Sequence, residues 1–197
     1  LTSVFGDNET GLLIGEDFGS RIHRVFVSGK VSGEFSCGGL LGYAIGSEIS
    51  ESGASVTINC DGTAGGLAAE LDYSSVSASF ATGSVTGDYM VGGLVGVLYR
   101  ANISASYSSA VTYGGYATAG LIGYSSDSVI SGNFATGYVD YQDSDYGGLI
   151  GQADDTEISD SYWATDSTGQ TESDDSNSVD GYVGALLEEL QCPAMAF

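Results

Sequence analysis

Arg21, His23 and Arg24 are the only place where the chain gathers cations around a titratable base. A β-elimination lyase needs that combination, a base to take the proton and cations to neutralise a uronate carboxylate. With Ile22 pointing inward, Arg21 and His23 share the outward side of a strand, where they serve equally well as decoration of an end rung. Glycoside hydrolysis needs two carboxylates roughly 5–9.5 Å apart across a cleft. With 26 acidic residues such pairs arise by chance, and Asp154-Asp155 and Asp174-Asp175 read as loop acids. Hard oxygen ligands suited to Ca²⁺ gather twice, at Asp140, Asp143 and Asp145 and at Asp154, Asp155 and Glu157. Neither set follows an EF-hand loop or a Gly-Gly-x-Gly-x-Asp repeat, so solvated acids are the plainer reading. There is no nucleophile elbow, HExxH or P-loop. These patterns predict a protein without catalytic residues, with Ca²⁺ as the one cofactor worth testing.

The three cysteines, Cys37, Cys60 and Cys192, contain no CxxC pair. A secreted setting would favour one bridge and one remaining thiol. In the repeat register described next, Cys37 falls four columns away from Cys60. A Cys37–Cys60 disulfide therefore requires a local rearrangement; otherwise the thiols are small buried hydrophobes.

What must position all these groups is a repeat. Gly-Gly-Leu-Val-Gly at 92–96 recurs with small changes, and its closing residue is Gly15, Gly42, Ala69, Gly96, Gly123 and Gly151, in steps of 27 with a final 28. Other columns keep the beat: Ile22, Ile49, Val76, Ile103, Ile130 and Ile158; then Phe26, Gly53, Phe80, Tyr107, Phe134 and Tyr162. A third runs Val31, Ile58, Val85, Val111 and Val139, and a fourth Leu40, Leu67, Leu94, Leu121 and Leu149. Alternation such as Val76-Ser-Ala-Ser-Phe80 sends apolar side chains to one face of a strand and serines to the other. A period of this length marks a solenoid. Short strands bury their apolar faces only by stacking, so the expected fold is all-β, a parallel β-helix of about six rungs and roughly 29 Å, with about three strands and three corners per rung. Ile, Phe or Tyr, Val and Leu ladders form its core. The Gly53 and Ala69 departures predict a locally thinner rung.

The motif Gly-Leu-(Val/Ile/Leu)-Gly followed by Ser-Tyr/Phe-Ala-Thr-Gly-x-Val resembles the GLUG repeats of bacterial surface proteins. Phe80-Ala-Thr-Gly-Ser-Val85, Phe134-Ala-Thr-Gly-Tyr-Val139 and the closing Asp160-Ser-Tyr-Trp-Ala-Thr-Asp-Ser-Thr-Gly-Gln170 carry the likeness, which covers about residues 11 to 170. The resemblance implies a solenoid architecture in adhesin-like or other secreted proteins. It implies no particular activity, because the motif is structural.

Composition sets the surroundings. A net charge of −22, from 26 acidic and 4 basic residues, excludes nucleic acid and anionic membrane as partners. No apolar run approaches 18 residues, so membrane insertion is not expected. No signal peptide is visible, and a start at Leu1 suggests a processed chain or an excerpt. Three parts follow: a partial N-terminal rung (1–10), the repeat array (11–169), and an acidic loop with a C-terminal helix as cap (170–197). In the last part Val183, Leu186, Leu187 and Leu190 fall at helical spacing, with Asp180 near the N-terminus of that helix.

The ends are electrically distinct. Arg21, Arg24 and Lys30 lie in the first full rung, while residues 154–189 hold eleven acids and no base. One column reads Arg24, Glu51, Ala78, Ala105, Gly132, Asp160. Solenoid ends expose unpaired backbone groups, and Val4 stands 27 before Val31, so the first rung begins part-way round. A basic end meeting an acidic end, in a heterologous contact that does not close, makes a filament. The expectation is an extracellular, cell-surface structural or adhesive subunit that polymerises head to tail or binds other surface proteins. Its contact residues would be Val4, Arg21, Arg24, Lys30, Asp160, Tyr162, Leu186, Leu187 and Leu190. The rival is a glycan-binding or polysaccharide-degrading module that uses a Tyr- and Asp-lined face, with Tyr43, Tyr99, Tyr113, Tyr116, Tyr124, Tyr138, Tyr141 and Tyr146 of the 13 tyrosines expected at the surface.

Overall fold

A computed structural model describes residues 2–142, 145–172 and 182–190. The chain winds as a parallel β-solenoid of about six turns with a repeat near 27 residues. Each turn passes through four sheets rather than three, the strand of one sheet being broken in two in the turns that begin at Tyr107 and Phe134. One complete turn runs Gly53–Cys60, Thr63–Gly65, Ala68–Asp72 and Ser75–Ser77. Like strands of successive turns pair in parallel and build four sheets, called here A (ten strands) and B, C and D (six each). Register follows the repeat: Val76 lies between Ile49 and Ile103, and Val4 pairs with Val31. The additional strand leaves no alternation signal in the sequence, because the strands of B and D are only two or three residues long.

The core is a set of inward columns. Ile49, Ile58, Leu67, Leu94, Ile103, Leu121 and Ile130 are completely buried. Each such side chain contributes roughly 1.5–3 kcal/mol through removal from water. The Phe26 column, however, lies outside: Phe26 is 64% and Tyr107 42% exposed. The reason is the backbone. Between Val76 and Phe80 the strand breaks at Ala78, which has φ of 47°. That left-handed residue resets the alternation, so Ser79 turns in and Phe80 turns out. All six members of the Arg24-to-Asp160 column occupy this conformation, with φ between 47° and 66°. The column is small or polar because it is a corner. A second corner, between C and D, repeats the device from Gly19 to Asp155 with φ of 44° to 73°.

From Glu51 to Asp160 each residue of the first corner is followed by a buried polar group, Ser52, Ser79, Ser106, Asn133 and Ser161. Ser79 Oγ accepts from the Ser52 N–H (3.1 Å) and donates to the Ser77 carbonyl (2.8 Å). Ser106 does the same for Ser79, Asn133 Oδ1 accepts from the Ser106 N–H, and Ser161 Oγ from the Asn133 N–H. The ladder satisfies corner amides that no strand partner reaches. One column is mis-set in the sequence reading: Val85 pairs with Thr112, not Val111. Thr112 is wholly buried, its hydroxyl has no hydrogen-bond partner, and Val111 faces out.

Cys37 and Cys60 form a disulfide, with Cα atoms 6.0 Å apart. Column counting made this pairing look remote, but inside the A–B corner positions four apart converge. A Cβ on Gly33 would stand 2.9 Å from Cys37 Sγ. Cys60 sits directly over Gly33 in the next turn and so reaches Cys37.

The C-terminal end differs from expectation. Tyr182–Ala185 is a strand, not the start of a helix, and pairs in parallel with Ser161–Ala164. The helix is short, Leu187–Leu190, and follows an exposed Leu186. Helical spacing lost here because the open edge of Ser161–Ala164 offers backbone partners that a lone stripe of about two turns cannot match. Asp180 and Cys192 lie outside the described residues.

Candidate functional site

Arg21 and His23 both face outward around a buried Ile22, as the alternation requires. Each member of the cationic group is tied to the turn above. Arg21 Nε lies 2.9 Å from Glu48 Oε2, Arg24 Nε lies 2.8 Å from Glu51 Oε2, and His23 Nδ1 is 3.2 Å from Ser50 Oγ. The Arg24 guanidinium beside Glu51 holds that carboxyl below its ordinary range, against a smaller opposing effect of burial. The fourth cation, Arg100, pairs with Asp72 at 3.0 Å and lies 4.2 Å from the Tyr73 ring centre. These contacts run along the solenoid axis, each between groups about one turn apart.

The acids are dispersed. Asp154 accepts a hydrogen bond from the Tyr124 hydroxyl (2.8 Å), Asp155 occupies the left-handed corner, and Glu157 starts the next strand facing outward. Burial, then the bond to Asp154, pushes the Tyr124 hydroxyl up to about 12. Asp140 is exposed; Asp143 lies outside the described residues, as do Asp174 and Asp175. Among the described residues no three His, Cys, Asp or Glu side chains converge as metal ligands.

The proposed contact residues fall into two sets at opposite ends of the stack. Val4, Arg21, Arg24 and Lys30 belong to the first turns, and all three cations are exposed. Asp160 and Tyr162 belong to the last full turn, with Leu187 and Leu190 half-buried on the short helix beyond it. Leu187 N–H donates to Asp166 Oδ1 (3.0 Å), which ties the helix to the last turn.

The lateral surfaces hold features that sequence reasoning placed in the core. On sheet A, Phe80 stacks on Tyr107 with ring centres 5.3 Å apart and leans across Gly53 toward Phe26, 5.9 Å away. A Cβ on Gly53 would stand 2.5 Å from the Phe80 ring. The supposed thin rung is therefore filled from the turn above. A recess of about 270 Å³ lies beside this contact, lined by Phe26, Ser28, Ser55 and Phe80. At the A–B corner a larger one, about 650 Å³, is lined by Asp88, Tyr89, Met90, Gly115 and Tyr116. The only sequence signal for an outward aromatic column was the small residue two places before it at Ala78, Ala105 and Gly132.

Together, four parallel sheets, a continuous inward core and repeating left-handed corners define this chain as a β-solenoid. The chain matches no protein-family model, no curated protein and no solved structure.

Proposed function

We propose that the protein is a non-enzymatic, extracellular structural or adhesive solenoid whose subunits join end to end. The observation that carries this reading is the strand Tyr182–Ala185, which adds in parallel to the open edge of Ser161–Ala164. Edge addition is thus already in use at this end of the stack. The last strands of sheets C and D, Ile150–Asp154 and Glu157–Ser159, offer equivalent edges with no further strand upon them among the described residues. A neighbouring copy continues them by the same backbone pairing. The charge difference between the Arg21, Arg24 end and the Asp160 end favours head-to-tail order over head-to-head. The Cys37–Cys60 disulfide and the GLUG-like motif both accord with a secreted setting.

Negative-stain electron microscopy of the chain across salt and Ca²⁺ tests the reading. Filaments built of end-joined solenoids are expected; compact particles under every condition would overturn it. Arg24→Glu should shorten the filaments, and unchanged assembly would sink the electrostatic part. A second reading, glycan binding, draws on the Tyr89–Tyr116 recess beside Asp88. Quenching of tyrosine emission by saccharide is its test, since Trp163 is only 4% exposed and is shielded from a ligand.

A further inference from the structure

The outward face of sheet A is free of carboxylates over a wider area than that of any other sheet among the described residues. From Phe26 through Tyr113, across four turns, its outward positions hold aromatic residues, Ser, Thr, Asn, Val and Gly, with Lys30 as the one charge. No carboxylate occurs there, in a chain with 26 of them and a net charge of −22. The next turn contributes a single one, Asp140. Acids instead line the adjoining corner, at Asp7, Glu34, Asp61 and Asp88, all exposed.

We propose that this face is the lateral contact between two copies of the chain, paired face to face about a two-fold axis. The charge distribution selects the occupant. Two strongly anionic molecules repel over most of their surface, and this is the face on which they meet without opposing carboxylates. Size agrees: eight positions at about 3.3 Å across the five turns from Phe26 to Tyr141, at about 4.8 Å each, give roughly 630 Å² per copy. That falls within the roughly 600–1,000 Å² per partner of a stable interface. Exposed Phe26, at 64%, and Tyr107, at 42%, supply apolar anchors. An antiparallel two-fold sets the turn of Lys30 against the turn of Asp140 of the other copy, which pairs the face's two charges. End-to-end growth uses strand edges and lateral pairing uses a sheet face, so the two contacts are independent.

Sedimentation equilibrium on the intact chain at low and high salt tests the proposal. A mass of two chains, or an even multiple of it where ends have also joined, is expected, with association strengthened by salt because repulsion is screened while apolar contact is not. A Ser28→Glu, Ser55→Glu double variant puts acids on the face centre and should weaken the dimer about ten-fold or more. A Ser77→Glu, Ser104→Glu variant adds equal charge on sheet D and should change it less than about two-fold. A single-chain mass at every salt overturns the proposal, as does equal weakening by both variants. Retardation of monomer in a gel containing neutral glucan, abolished only by the sheet A variant, would also overturn it, making the face a saccharide platform. Filament length in micrographs reports end contacts separately.

Discussion

Trp163 packs against Gly148 so closely that a Cβ on the glycine would overlap the indole at Cδ1. In the turns below, the same pairing is between Gly120 and Ala135 and between Gly66 and Ala81. The last turn thus exchanges a small inward residue for the largest one. The indole closes the core, with its N–H donating to the Gln170 carbonyl (3.0 Å). Gly148→Ala should cost about 1–3 kcal/mol by overpacking, and Trp163→Ala about 3–5 kcal/mol. Urea unfolding followed by far-UV circular dichroism measures both.

Thr112→Val should raise stability by about 1 kcal/mol. The hydroxyl is buried and unpartnered, and valine keeps the shape without the desolvation cost. A fall in the urea midpoint would show that the hydroxyl has a partner.

Ala78→Gly and Ala105→Gly should each stabilise by roughly 0.5 kcal/mol. Left-handed φ costs alanine about 1–2 kcal/mol, which exceeds the added unfolded-state entropy of glycine. Alanine in place of Gly132, at the same corner with φ of 66°, should do the reverse.

Asp17 is 6% exposed at an inward position of the first turn. Burial raises its carboxyl, but hydrogen bonds from the Ser20 and Ser47 hydroxyls and from backbone N–H groups outweigh it, and the net shift is downward. A lowered folded value means stability that is present above the ordinary carboxylate range of about 4 and lost as pH falls through the folded value. Thermal melts of wild type against Asp17→Asn should converge on acidification through that window. A gap that stays constant with pH would refute the linkage.

Paired alanine replacement of Cys37 and Cys60 should cost about 3 kcal/mol from loop entropy. Thiol titration of denatured, unreduced protein should find one reactive thiol.

The solenoid itself was legible, because Leu40, Leu67, Leu94, Leu121 and Leu149 are core residues that must recur at the pitch of the coil. Which way a column faces was less so. Parity counted from Val76 to Phe80 assumes unbroken extension, and a single left-handed residue at Ala78 reverses it without a glycine to announce it. The disulfide was obscured for a related reason: columns measure distance along sheets, while Cys37 and Cys60 approach through the inside of a corner. The Tyr182–Ala185 strand depends on an edge supplied by residues some twenty positions earlier, which local spacing does not record.

The disulfide gives the rod a mechanical signature. Pulled along its axis, a stack of parallel rungs unzips one coil at a time, each released coil of 27 residues adding about 90 Å of contour length. The Cys37–Cys60 link keeps 23 residues of one coil out of that extension, so that coil yields only a short step until the bridge is reduced. Force spectroscopy would therefore read the chain as a ruler of near-equal steps with a single reducible knot near its beginning.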